Sequence, residues 1–224
     1  MDDLKKIQNK FIGQIGNFDI NPTEFKMLMT YYECAILEVK TKLDVLNKEF
    51  SANTMRNPIA SIKTRIKSPD SIYEKLDRKN LDKTLESVQN NLDDVAGIRI
   101  ICSFLDDIYS VADMLTSQDD VKELTRKDYI KNPKPNGYRS LHLIIEIPIF
   151  LKDEKKDMRV EVQLRTIAMD FWASLDHKLS YKKDIPEEEA KLLRQELLEC
   201  AQISADLDVR TGEIKNRIVN KENT

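Results

Sequence analysis

One run of the chain, Met158 to Arg165 (MRVEVQLR), alternates strictly between apolar and polar residues. In a strand, Val160, Val162 and Leu164 fall on one face and Glu161, Gln163 and Arg165 on the other. Such a strand can lay its apolar face on a core and present a carboxylate, an amide and a guanidinium together. The same pattern also describes an edge strand with one solvated face. Asp94 stands just before a second β-branched run, GIRIICSF, which carries Arg99, and Gly97 gives the backbone room there. An Asp at one strand start and a Glu on another strand could share Mg2+, which prefers hard oxygen ligands, often one or two carboxylates plus substrate phosphates. Read alone, Asp93 and Asp94 also suit a turn.

Two basic clusters accompany these carboxylates. The first comprises Lys63, Arg65, Lys67, Lys75, Arg78 and Lys79; the second, Lys122, Arg126, Lys127, Lys131, Lys134 and Arg139. Positive charge gathered in this way can hold polyphosphate, although solvated helix faces also collect lysine. The loop KPNGYRSLH brings Lys134, Tyr138, Arg139 and His142 close together, and the turn pair Asn136-Gly137 can project Tyr138 as a stacking surface for a base. Other chemistries find no support. The chain has no GxxxxGK[ST] loop, no GxGxxG after a strand, no GxSxG elbow and no HExxH helix. His142 and His177 are its only histidines, too few for a histidine-rich metal centre.

The elements that must position these residues are of mixed type. Apolar residues from Phe25 to Phe50 recur in steps of three and four, which predicts a helix from Thr23 to Phe50, with Asn53 to Pro58 as a boundary. Residues Ile59 to Asn80 read as basic and helical at both ends. Leu92 to Phe104 reads as a turn and a strand, and Asp107 as the cap of a helix carrying Ile108, Val111, Ala112 and Leu115. After the polar loop from Lys127 to Ser140 come strands at Leu141–Ile149 and Met158–Arg165. Thr166 then starts a helix carrying Phe171, Trp172 and Leu175, and Pro186 opens a long charged one. The fold class is α/β (α+β), with a sheet of about five strands.

The 224 residues suit one domain with helical additions. With 41% hydrophobic and 33% charged residues, a soluble globular protein is expected, and 5 Gly and 7 Pro speak against disorder and against a turn-rich all-β fold. A net charge of −3 disfavours a general nucleic-acid binder. Cys34, Cys102 and Cys200 form no CxxC pair, and neither a signal peptide nor a membrane span is apparent, so a reducing cytoplasm is the expected location.

Taken in order, the blocks RIKSPDSIYEKLDRK, DDVAGIRIICSF, KDYIKNPKPNGYRSLHLIIE and VEVQLRTIAMDFWASLDHKLSYK, followed by a helical tail, resemble the synthetase domain of the RelA/SpoT proteins in its small stand-alone form. The wording TIAMDFWASLDHK looks most like the RelP-type small synthetases. The resemblance implies a nucleotidyltransferase-like mixed sheet flanked by helices. It also implies transfer of pyrophosphate from ATP to the 3′-hydroxyl of GTP or GDP, without a hydrolase domain. By that likeness Arg65 and Arg99 would sandwich adenine, and Lys67, Lys75, Arg78 and Lys127, with Ser71, would hold the ATP phosphates. Asp94 and Glu161 would be the catalytic pair and bind Mg2+, with Glu161 also accepting the 3′-hydroxyl proton. Tyr138 would stack on guanine, and Lys134, His142, Gln163 and Arg139 would contact the acceptor's phosphates and ribose. Asp170 would accept hydrogen bonds from guanine, or else be an exposed helix acid; His177, Tyr181 and Lys182 match the family pattern and are equally compatible with structural roles.

The expected organisation is a helical region at 1–56, a catalytic core at 57–185 and a helical region at 186–224, with a homotetramer built from the terminal helices and no stable nucleic-acid or membrane partner. Two other readings stand beside it. One is a nucleotidyltransferase that transfers a nucleoside monophosphate; the other is a non-enzymatic nucleotide- or RNA-binding module.

Overall fold

Strand-forming runs from across the chain pair into one five-stranded mixed sheet in the computed structural model, which describes residues 21–54, 56–180 and 186–222. Its strands are β1 (Ile59–Ile66), β2 (Ala96–Cys102), β3 (Lys122–Asp128), β4 (Leu141–Phe150) and β5 (Lys155–Thr166), in the order β1-β2-β5-β4-β3. Only β2 and β5 run parallel; the other neighbours are antiparallel. The helices are α1 (Pro22–Thr54), α2 (Pro69–Arg78), α3 (Leu85–Asn91), α4 (Leu105–Thr116), α5 (Ile167–Ser180) and α6 (Glu187–Glu222).

Alternation decides which face of the sheet is dry. Ile98 and Ile100 of β2, Leu141, Leu143 and Ile145 of β4, and Val160, Val162 and Leu164 of β5 are buried. They join one core with Phe25, Leu28, Tyr32, Ile36, Val39 and Leu43 of α1 and with Ile108, Val111 and Leu115 of α4. Burying each such side chain stabilises the fold by about 1.5–3 kcal/mol. The apolar stripe of α1 is thus covered by its own chain, and the opposite face of the sheet stays open.

Two elements differ from the sequence reading. Residues Ile59–Ile66 form β1, not a helix. Its buried or half-buried residues Ile59, Ile62 and Ile66 follow helix-like steps, because a register shift between Ile59 and Ser61 absorbs the odd residue. The charged segment Lys122–Asp128 is the edge strand β3; its mostly exposed side chains give no apolar alternation, and lysines commonly guard sheet edges. Asp107 does not cap α4. Phe104 holds that position without a side-chain bond, while Asp107, buried, accepts both forks of Arg56 at 2.7 and 2.9 Å.

The strand β5 passes directly into α5. Thr166 Oγ1 accepts from the Met169 amide at 3.1 Å, the N-cap bond expected of it. The helix α6 packs on α5, with Trp172 Nε1 donating to the Leu197 carbonyl at 2.8 Å, and Lys215 of α6 pairs with Asp106 of α4.

Candidate functional site

Strand register gathers the charged residues into rows. Lys63 lies opposite Arg99, Arg99 opposite Gln163, Gln163 opposite His142 and His142 opposite Lys127, so one row crosses all five strands on the open face. The neighbouring row runs Arg65, Gly97, Glu161, Ile144 and Thr125. Lys63, Arg65, Gly97, Arg99, Glu161 and Gln163 line one depression there. Gly97 lets Arg65 lie close: a Cβ on it would sit 3.3 Å from Cγ and Nε of Arg65, tight enough that this side chain would have to shift.

A hydrogen-bonded chain leads to Glu161. Arg165, only 4% exposed, donates to the Tyr138 hydroxyl at 2.7 Å and to Gln163 Oε1 at 3.3 Å. Gln163 in turn donates to Glu161 Oε2 at 2.9 Å. The Tyr138 hydroxyl lies 2.8 Å from His142 Nε2. That hydroxyl also accepts from Arg165, and which of the two groups donates in the Tyr138–His142 bond follows the imidazole tautomer. Nδ1 is 3.8 Å from Glu161 Oε1, and Arg65 is 3.9 Å from Glu161 Oε2. Tyr129 stands edge-on to both Tyr138 and His142, and the Lys134 ammonium lies 4.8 Å from the Tyr129 and Tyr138 ring centres.

Burial, reinforced by the positive charges of Arg165, Lys134, Lys127 and Arg99, pushes the His142 imidazole down to about 4. The unfolded chain, with an ordinary histidine near 6.5, therefore binds a proton there before the folded chain does. Stability should be full above about pH 6.5 and decline as pH falls towards 4, by up to about 3 kcal/mol. Urea midpoints of the metal-free protein at pH 7 and pH 5 check this. A His142→Gln variant should flatten the slope between them, and an unchanged slope would contradict a neutral buried imidazole.

Two further carboxylates are tied to cations. Asp94 is 2.6 Å from Lys67 Nζ and 2.7 Å from Lys75 Nζ. Burial raises its proton affinity, but the two ammonium groups together hold it below the usual carboxylate range. Asp170 is buried rather than an exposed helix acid, and bonds Lys63 at 3.0 Å and both Arg99 and Arg165 at 3.2 Å. Burial opposes its ionisation, and Lys63, Arg99 and Arg165 override it. Nε of Arg99, which lines the depression, and Nε of Arg165 are both buried without a hydrogen bond.

The remaining expected residues are more dispersed. Ser71 bonds Ser68 at the start of α2, and Arg78 is exposed in that helix's last turn. Lys127 and Lys134 are exposed at the Tyr138 end of the face. Arg139 turns away towards Asp208 of α6, at 3.7 Å. His177 lies in the last turn of α5; Tyr181 and Lys182, like the N-terminal 20 residues, lie outside the described residues. The sequence marks Lys63 only as one of a basic cluster and Arg165 only as part of the polar face of β5, without a specific contact for either. The alternation of β5 was the signal for Arg165, and the register opposite Arg99 marks Lys63. Among the described residues no three His, Cys, Asp or Glu side chains cluster as a metal cage. Asp94 and Glu161 supply only hard oxygens, a donor set that fits Mg2+ completed by phosphate and water oxygens.

The fold and this face define an α/β protein whose open sheet surface is built for phosphorylated ligands. Residues 64–186 match the family model described as the region found in RelA / SpoT proteins. The chain is 41% identical over 220 residues to the GTP pyrophosphokinase YwaC of Bacillus subtilis (strain 168), covering 97% of this chain and 96% of the relative. The crystal structure of small alarmone synthetase 2 from Bacillus subtilis superposes with a TM-score of 0.76 at 42% identity, over 87% of this chain and 99% of that one. Small alarmone synthetase 1 from the same organism, bound to its product pppGpp, gives 0.78 at 31% identity, over 88% and 99%. The protein belongs to the RelA/SpoT family, as its motifs imply. No helix among the described residues is long and apolar enough to cross a membrane.

Proposed function

We propose that this protein is a small alarmone synthetase: it transfers the β,γ-pyrophosphate of ATP to the 3′-hydroxyl of GTP or GDP and releases AMP. One observation carries the reading. Glu161 sits where a cationic face made by β1, β2 and α2 meets an aromatic platform made by Tyr138, Tyr129 and His142. A donor polyphosphate and an acceptor nucleoside thus have adjoining places, with a carboxylate between them.

In this reading Arg65 and Arg99 flank adenine, and Lys67 and Lys75, with Arg78, Lys127 and Ser71, take the donor's phosphates. Tyr138 stacks on guanine, and Lys134, His142 and Gln163 orient the acceptor. Glu161 removes the 3′-hydroxyl proton as that oxygen bonds to the β-phosphorus and the bond from the β-phosphorus to the α-phosphate oxygen breaks. Gln163, held by Arg165, fixes the Glu161 carboxylate through its amide. Asp94 and Glu161 would hold Mg2+, which would neutralise phosphate charge when bound. Most of the remaining acceleration comes from alignment and from cations placed where charge develops.

Residues 57–185 form the synthetase core in this proposal, and the protein works in the cytoplasm. It assembles as a homotetramer through the apolar face of Ile167, Phe171, Leu175 and Leu179 on α5 with Ile203 and Leu207 on α6, residues 37–68% exposed in the single chain. A continuous apolar face of this kind marks an interface.

The test is nucleotide chromatography after incubation with ATP, GTP and Mg2+. AMP should appear in step with a guanosine 3′-pyrophosphate. Release of pyrophosphate would favour nucleoside-monophosphate transfer. Salt-sensitive RNA binding without turnover would favour a binding module. The same assay examines Asp170, which must exchange a cation for the base if it reads guanine. Asp170→Ala should then lower use of GTP about tenfold more than use of ITP, which lacks the 2-amino group, and equal losses would remove that contact.

A further inference from the structure

We infer that α6 positions the acceptor site, acting on the Tyr138 loop through Ala201, Leu198 and Asp208. The inference rests on the reading of Tyr138 as the acceptor platform. It differs from the expected roles of the loop, because it makes Arg139 a tether to α6 rather than a ligand for phosphate.

The loop is pressed onto α6 at one point and tied to it at another. Gly137 holds the left-handed conformation, with φ of +87°. A Cβ there would stand 2.5 Å from Cβ of Ala201 and 3.1 Å from Cδ1 of Leu198. The backbone that carries Tyr138 therefore lies directly on α6, and only glycine against a small residue permits the approach. Gly137 is also fixed within its own turn, its amide donating to the Lys134 carbonyl at 2.8 Å, while the Lys134 amide donates to the Tyr138 carbonyl at 3.1 Å. Displacing Gly137 would thus displace Lys134 and Tyr138 with it.

The tie runs through Asp208, a carboxylate only 5% exposed. It accepts from Thr166 Oγ1 at 3.0 Å, and Arg139 Nη1, buried and without a hydrogen bond, faces it as an ion pair at 3.7 Å. Thr166 ends β5 and caps α5, so Asp208 joins the strand that bears Glu161 to the loop that bears Tyr138. A buried carboxylate with a hydroxyl and a guanidinium as its partners is costly to rearrange, which suits a fixed spacer. Asn136 adds a bond from the loop to Asp176 of α5 at 3.3 Å. The two halves of the site, joined within the sheet by β4–β5 pairing and the Arg165–Tyr138 bond, are thus also braced from outside it by α5 and α6.

The variants Asp208→Asn and Ala201→Val separate positioning from general stability. Asp208→Asn keeps an acceptor for Thr166 and removes the charge facing Arg139; Ala201→Val pushes on Gly137. In the full-length protein, KM for GTP should rise about five- to tenfold in each, with KM for ATP changed less than about twofold. Amide hydrogen exchange across residues 134–140 should quicken while exchange in β2 and β5 stays as in the parent. If Ala201→Val does not fold, Asp208→Asn and the milder Arg139→Gln carry the test, and Arg139→Lys should restore part of the GTP affinity. Equal changes in both KM values, or faster GTP-independent exchange everywhere, would overturn the brace. A parent protein that makes no product and binds no GTP would instead overturn the proposed function, and the exchange result would still stand or fall by itself.

Discussion

Replacing Glu161 by Gln should lower pyrophosphate transfer about 100- to 1,000-fold while leaving the melting temperature almost unchanged. A positioned base contributes roughly 10²–10⁴ to a rate, and Gln removes the base while preserving shape. The local bonds survive the change. Gln163 donates to Glu161 Oε2 at 2.9 Å, and a side-chain amide oxygen can still accept that bond, more weakly without the charge. Arg65 and His142 lie 3.9 and 3.8 Å away, so neither depends on the charge for a tight hydrogen bond. Single-turnover rates with ATP and GTP, together with a Mg2+ titration, make the measurement. A variant with full turnover at raised Mg2+ would leave Glu161 a metal-binding role and take away the role of base.

Arg165→Met should be the most damaging change at a residue of this face that does not line the depression. Arg165 is 4% exposed and bonds Tyr138, Gln163 and Asp170 at once. Methionine fills similar space without a donor. Asp170 keeps Lys63 and Arg99, and Tyr138 keeps His142, so the loss is smaller than for an orphaned buried charge: about 2–4 kcal/mol of stability. The acceptor should be affected on a comparable scale. A hydrogen bond to a charged group is worth about 1.5–3 kcal/mol, so guanine-nucleotide affinity should fall at least tenfold. Arg165→Lys should recover stability more than affinity, because one ammonium cannot hold Tyr138, Gln163 and Asp170 in a planar fork. Urea unfolding and equilibrium binding of GTP measure the two effects separately, and an Arg165→Met protein with parental GTP affinity would refute the argument.

The central strand was legible because burial on one face enforces strict alternation. From Val160 to Leu164 the sequence states both the strand and its more open side, while Arg165 continues the polar face but is buried. The edges were not, for opposite reasons. β1 spaces Ile59, Ile62 and Ile66 as a helix would, and β3 is so exposed that no apolar pattern is required of it. Resemblance to the family named Asp94, Tyr138, His142 and Glu161, and the structure puts Tyr138, His142 and Glu161 within one bonded network. What no local pattern reveals is pairing between distant segments. Lys67, just after β1, and Lys75 of α2 meet Asp94, Asp170 draws Arg99 and Lys63 from two strands, and Arg139 finds Asp208 from 69 positions away. Such contacts follow from packing, and sequence spacing does not encode them.

The row of side chains that crosses all five strands at one register bears on how this gene can change length. Deleting or adding one codon within β5 would turn Glu161 and Gln163 into the core and bring valines to the surface, since strand periodicity is two. In-frame insertions should therefore survive selection in the turn at 151–154 or the connection at 117–121, and be absent between residues 158 and 165. Length variation, more than amino-acid exchange, would be the sensitive reporter of where this sheet does its chemistry.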